Sequence, residues 1–186
     1  RLIDPTSLAK SVWQDLHIAD GATPENCLYT FVELFVFKYL SDLEILESPD
    51  NYSYLMSLYS SGKTNDYVLN YYSTRIRNKI KELFPSDLLG DKTTIINGTI
   101  FVNIDGDSVY PDVFKKILEK IGNEKEGGGE FKNIIKDFKS KLFETFLKES
   151  ISKKNWGQFF TPIKVVKAIV NMSKSEIKKG ITIYNP

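Results

Sequence analysis

The chain has 186 residues, 41% hydrophobic and 26% charged, enough to bury the core of one sizeable domain or of a domain plus part of a second. A single cysteine, Cys27, excludes an internal disulfide or a cysteine-based zinc cluster, and one histidine, His17, leaves no basis for a metal site. No apolar run approaches the roughly 20 residues of a membrane span, and Arg1 does not open a signal-like segment, so the cytoplasm is the expected location.

Hydrolytic chemistry is poorly supplied. A Ser-His-Asp arrangement would need His17, which has no Gly-x-Ser-x-Gly context; His17 reads as a helix residue and Cys27 as a buried filler. The net charge of +1 hides an asymmetry. From Phe131 to Gly180 there are 12 Lys against 4 acidic residues, net +8, and the remainder carries 13 basic against 20 acidic residues, net −7. A basic C-terminal third suits a polyanion, although a solvated lysine-rich helix surface gives the same count.

In chain order, the first strong signal is Thr23-Pro24-Glu25: a capping hydroxyl, a proline at the first helical position and an acid facing the helix dipole. The run from Glu25 to Leu46 that follows predicts a largely buried helix. Leu28, Phe31, Val32, Phe35, Tyr39, Leu43 and Leu46 share a face that Leu34, Phe37 and Leu40 widen. Residues 48–66 mix turn formers with tyrosines and predict a loop plus a short helix. A further helix is expected from about Asp66 to Phe84, with Val68, Tyr72, Ile76, Ile80 and Leu83 at helical spacing and Pro85 as its stop.

The stretch from Thr93 to Tyr110 is rich in β-branched residues, and its Asn97-Gly98 and Asp105-Gly106 pairs predict a small β-hairpin or two short strands. Asp-Gly-Asp at 105–107 lacks the spaced acids of a calcium loop and reads as a turn. Pro111 opens a helix from Asp112 to about Ile121. The composition of about 122–130, with three successive glycines, predicts a mobile loop. Helical periodicity returns from Phe131, with Ile134, Ile135, Phe138, Leu142, Phe143, Phe146 and Leu147 on one face. The last elements expected are a helix capped by Thr161 with Pro162 first, then a short strand over Ile181–Tyr184. That strand stands without a partner and the first residue is not Met, so a piece of a larger protein is expected.

Between these last helices lies Lys153–Pro162, "KKNWGQFFTP". Gly157 lets a ligand approach the backbone, Gln158 offers donors and an acceptor, and Phe159 and Phe160 supply flat apolar surface. Thr161 and Pro162 expose the first N–H groups of a helix, a site for a carboxylate or phosphate. A well-capped helix behind an aromatic plug accounts for the same residues without a ligand.

"NWGQFFTPIKVV" followed by "ITIYNP" resembles the segment of amino-group DNA methyltransferases in which Gly-Gln-(Phe/Tyr)-(Phe/Tyr)-Thr-Pro precedes the first strand of the S-adenosylmethionine fold. The nearest resemblance is to the modification (M) subunit of type I restriction-modification systems, an N6-adenine methyltransferase. "FVELFVFKYLSD" and "KSKLFETFLKESISKKNWGQFFTP" resemble that family's N-terminal helix and its interdomain run. The resemblance implies a mainly α architecture: a helical bundle with a small hairpin over 1–150, then over 151–186 the first helix and strand of a truncated Rossmann-like methyltransferase domain.

The resemblance further implies that Gly157, Gln158, Phe159, Phe160, Thr161 and Pro162 help to bind the methionine end of S-adenosylmethionine. Double-stranded DNA and the specificity and restriction subunits would be the partners, with phosphate contacts expected from Lys153, Lys154, Lys164 and Lys167. Ile163 stands where the family usually has Arg. Asn185-Pro186 stands where it has Asp-Pro, and the catalytic Asn-Pro-Pro-(Tyr/Phe) is not in this sequence, so no catalytic residue is named and the fragment is expected to be inactive alone. The complete enzyme would methylate adenine N6 in DNA. The alternatives are a non-catalytic helical interaction module and part of a single-chain restriction enzyme-methylase.

Overall fold

A computed structural model describes residues 3–20, 24–84, 98–102 and 110–134, together with Asn171, which is helical and exposed. The chain divides into two compact units, Arg1–Lys153 and Lys154–Pro186. The described residues up to 134 lie in the first unit and Asn171 in the second.

Asp4 starts the first helix, α1 (Thr6–Asp20), by accepting from the backbone N–H of Thr6 at 3.1 Å and from its hydroxyl at 2.5 Å. An acceptor in that place satisfies an amide that the helix itself leaves unpaired. Leu8, Val12 and Leu16 recur at four-residue steps and are fully buried with Ala9. Helix α2 (Pro24–Asp42) follows and occupies the centre of the unit, packed against α1, against α3 (Tyr52–Ser60) and against a 3-10 turn at Phe131–Asn133.

The buried face of α2 is rotated from the one its periodicity predicts. Phe31, Leu34, Phe35, Phe37 and Leu40 are in the core, whereas Tyr39 and Leu43, placed on the same face by spacing, are 45% and 41% exposed. Glu33 and Lys38 lie inside instead. A pattern that scores charge as outward cannot find a face carrying two buried ion pairs. Helix α3 begins with the side chain of Asn51 accepting from Tyr54 N–H at 2.9 Å.

The helix expected over 66–84 is α4 (Asn65–Tyr71) and α5 (Arg77–Leu83), joined without a break by a π-helical turn over Tyr72–Ile76. The spacing carries its cause. Val68, Tyr72, Ile76 and Ile80 recur every four residues, which overshoots the α-helical period by about 40° at each step. The wider i→i+5 turn takes up that drift, so all four side chains are fully buried.

Helix α6 (Tyr110–Gly122) packs on α1 and α4, burying Phe114, Ile117, Leu118 and Ile121. Aromatic rings link the elements: Phe37 to Tyr72 at 5.3 Å, Tyr72 to Phe114 at 5.0 Å, and Phe114 to Phe101 at 5.1 Å. Six α-helices among the described residues make this unit mainly helical. Among the described residues the one extended pairing is a parallel bridge between Ile3 and Ile134, with Ile3 N–H donating to Asn133 C=O at 2.9 Å. The expected hairpin falls mostly outside the described residues, as do the strand over 181–184 and most of the helices expected after 134. Of the hairpin region, Gly98–Val102 is described and holds a turn closed by Val102 N–H on Thr99 C=O.

The glycine-rich segment that composition marks as mobile makes specific contacts. Gly127 and Gly129 take φ of +84° and +102°, conformations that side chains other than glycine's rarely adopt. A Cβ on Gly128 would lie 2.2 Å from Ile121 C=O. Phe131 does not begin a long helix: its ring is buried against Phe35 at 4.6 Å, its 3-10 turn ends at Asn133, and Ile134 is extended.

Candidate functional site

The residues nominated from sequence, Gly157, Gln158, Phe159, Phe160, Thr161, Pro162, Lys153, Lys154, Lys164 and Lys167, lie outside the described residues. Within them, four polar constellations are candidates for chemistry.

The first is interior. Arg77 Nε donates to Glu33 Oε1 at 2.8 Å, Tyr72 O–H donates to the same oxygen at 2.9 Å, and Gly98 N–H reaches Oε2 at 3.2 Å. Arg77 also donates to Gly98 C=O at 2.7 Å. Burial pushes the Glu33 carboxyl above its ordinary value, against the opposing pull of Arg77, Tyr72 and the Gly98 amide. Burial and the adjacent Glu33 push the Tyr72 phenol up as well. With Glu33 3% and Arg77 7% exposed and both oxygens of Glu33 occupied, this group ties residues 98–102 to α2 and α5 and has no room for substrate.

The second is a clasp on α2. Lys38 Nζ donates to Asp42 at 2.6 Å and to Gly129 C=O at 2.8 Å, and Phe131 N–H donates to Asp42 Oδ2 at 2.7 Å. One helical turn thus recognises one backbone acceptor and one backbone donor of the returning segment. The Lys38 ammonium lies 4.9 Å from the Tyr52 ring centre and 5.3 Å from that of Phe131, so a cation 4% exposed is held by charge and by two aromatic faces. In the third constellation, Asp15 accepts from Lys116 at 2.7 Å and from Lys120, joining α1 to α6. All three are structural.

The fourth is open to solvent: a groove of about 660 Å³ between α3 and α6. Tyr52, Met56 and Tyr59 of α3 form its apolar row, and Ser53, Ser57 and Ser60 an adjoining row of small hydroxyl residues. Lys115 and Glu119, one turn apart on α6, line the opposite side. The helices run in opposite directions here. Tyr52 O–H donates to Leu118 C=O at 2.6 Å, while Lys115 Nζ sits 5.2 Å from the Tyr59 ring centre. Lys115 and Glu119 make no ion pair among the described residues. The buried Tyr59 hydroxyl finds no hydrogen-bond partner among them. Burial, with Asp42 and Glu119 adding to it at Tyr52 and Glu119 at Tyr59, pushes both phenols up, so both hydroxyls are neutral at physiological pH. Sequence reading assigned this region a loop plus a short helix and missed the groove. Its available signal was the repeat of Tyr-Ser, Met-Ser and Tyr-Ser at 52–53, 56–57 and 59–60.

No group of three metal-ligating side chains occurs among the described residues, and no helix there is long and apolar enough to cross a membrane. No protein-family model matches this chain, and neither a curated protein nor a solved structure matches it.

Proposed function

We propose that this chain is part of an M-subunit-like N6-adenine DNA methyltransferase, its helical unit serving DNA and subunit contacts and its Gly157–Pro162 motif serving S-adenosylmethionine. The observation that carries the reading is the sequence Gly-Gln-Phe-Phe-Thr-Pro, placed where a helix start is expected to follow and a short apolar strand to come next. The mainly helical character of the described residues is compatible with it. In the reaction proposed, an adenine would be flipped from the duplex and S-adenosylmethionine would supply the methyl group to its N6, the S–CH3 bond breaking to leave S-adenosylhomocysteine and one N6 proton being lost to solvent. The N–H groups and hydroxyl at Thr161 would hold the cofactor's carboxylate, with Phe159 and Phe160 as apolar wall. The chain supplies binding in this scheme and no acid, base or nucleophile is assigned.

The test is a methylation assay of the intact gene product on adenine-containing DNA with tritiated S-adenosylmethionine, with and without a neighbouring specificity subunit. Transfer to adenine N6 is expected, and a Gln158→Ala, Thr161→Ala double variant should lose most of it. No transfer by a folded, cofactor-binding complex on any DNA would overturn the reading. The open α3–α6 groove favours one other function, a non-catalytic interaction module, for which DNA or subunit binding would persist with no thermal shift by S-adenosylmethionine. A single-chain restriction enzyme-methylase would carry nuclease and specificity regions in the same gene product.

A further inference from the structure

The groove between α3 and α6 has a polarity along its length that the function proposed above does not use. Because the two helices are antiparallel there, Tyr59 and Lys115 stand together and Tyr52 sits beside Leu118 further along, with Glu119 acting on both phenols. A cation and an anion thus follow each other one turn apart along α6, and neither is neutralised by an ion pair among the described residues. The α3 row is close to palindromic: Tyr52 and Tyr59 lie four and three residues from Met56, and serines follow all three.

We infer that the α3–α6 face bearing this groove is a self-association surface, packed against the same face of a second copy of the chain related by a two-fold axis passing near Met56. A two-fold axis makes residue i of one copy face residue j of the other and the reverse. Lys115 then faces Glu119 of the partner subunit and Glu119 faces Lys115 of the partner subunit, so one pair of charges on a single helix makes two intermolecular pairs. Tyr59 likewise meets Tyr52 of the partner subunit. The serine row keeps the approach close, and tyrosine and methionine are side chains enriched in interface centres. A small ligand is a poorer occupant, because such ligands are usually enclosed and this groove is open to solvent. The face is set by a helix of only nine residues, which places it at the small end of specific interfaces, so association is weak and concentration-dependent.

The experiment is sedimentation equilibrium of the full chain over a wide concentration range at low ionic strength, with Lys115→Glu, Glu119→Lys and the double exchange. Each single reversal sets like charges against each other twice per dimer and should weaken dimerisation by about tenfold. The double exchange restores opposite charges across the axis and should return the constant to within about threefold of wild type. Circular dichroism checks that the helices persist, since both side chains lie on the surface side of α6. A wild-type chain that stays monomeric throughout would overturn the inference. So would a dimer indifferent to the single reversals, or a double exchange no better than either single one. Rescue by the double exchange would support it, because binding of an unrelated partner gives no reason for two reversals to cancel.

Discussion

Glu33 is held as a partner of Arg77 at 3% exposure, where burial opposes the charge that the arginine favours. Its carboxyl sits above the ordinary 4.5, so folding binds the proton more tightly than the unfolded chain does. The contribution this linkage makes to stability is complete below 4.5 and is lost as pH rises through the folded value. Measured by urea unfolding, wild type should therefore gain on Glu33→Gln as the pH is lowered from neutral toward 4.5. A gap that stays constant or moves the other way would contradict the assignment. Removing the cation has a larger effect: Arg77→Met strands the carboxylate, and unfolding at neutral pH should cost about 3–5 kcal/mol less. Adding Glu33→Gln to that variant should recover part of the loss, since no buried charge is then left without its partner.

Among the elements, the helix over 65–83 was the most legible. Pro85 marks its end in the sequence and Val68, Tyr72, Ile76 and Ile80 share one spacing, whereas the cap at its start, Thr64 accepting from Tyr67 N–H at 3.2 Å, is seen in the structure. The π-helical turn suits the four-residue repeat, although α1 buries Leu8, Val12 and Leu16 at the same spacing without one. Helix α2 was found but turned, since Glu33 and Lys38 carry no local sign of a partner 44 or 91 residues away. Of helix α1 the sequence analysis places only His17 in a helix, although Leu8, Val12 and Leu16 share a face and Asp4 caps it. Composition does not show the part glycine plays at 127–129, since flexibility and close packing both favour glycine. A contrast between two glycines tests this. Gly128→Ala meets the Ile121 carbonyl and should cost about 3 kcal/mol, because the obstacle is backbone. Gly62→Asn, at φ +83° with nothing within 4 Å of an added Cβ, should cost less than about 1 kcal/mol. Thermal melts of the two variants measure the difference.

For the molecule as a whole, the division of charge is the feature with the widest reach. If the basic third meets DNA, the four lysines at 153, 154, 164 and 167 neutralise four phosphates. Replacing all four by alanine should then reduce the slope of log binding constant against log salt by roughly 3 to 4. Filter binding at several salt concentrations measures it, and an unchanged slope would remove these lysines from the interface. The candidate cofactor motif was legible as a motif, because Gly, Gln and Thr-Pro each bring a distinct chemical group in a fixed order. The α3–α6 groove was not, because it is made by two helices whose contact depends on Tyr52 reaching Leu118 across 66 residues.

The bridge between Ile3 and Ile134 has a mechanical meaning. Ile3 and Ile134 pair in parallel, so the backbone runs in the same direction at both. Tension drawn along the polypeptide would thus load that pairing in shear, with Ile3 and Asn133 sliding past each other instead of peeling apart. The six helices lie between these two points in sequence, and a pull on the flanking chain reaches them only after the bridge has slipped.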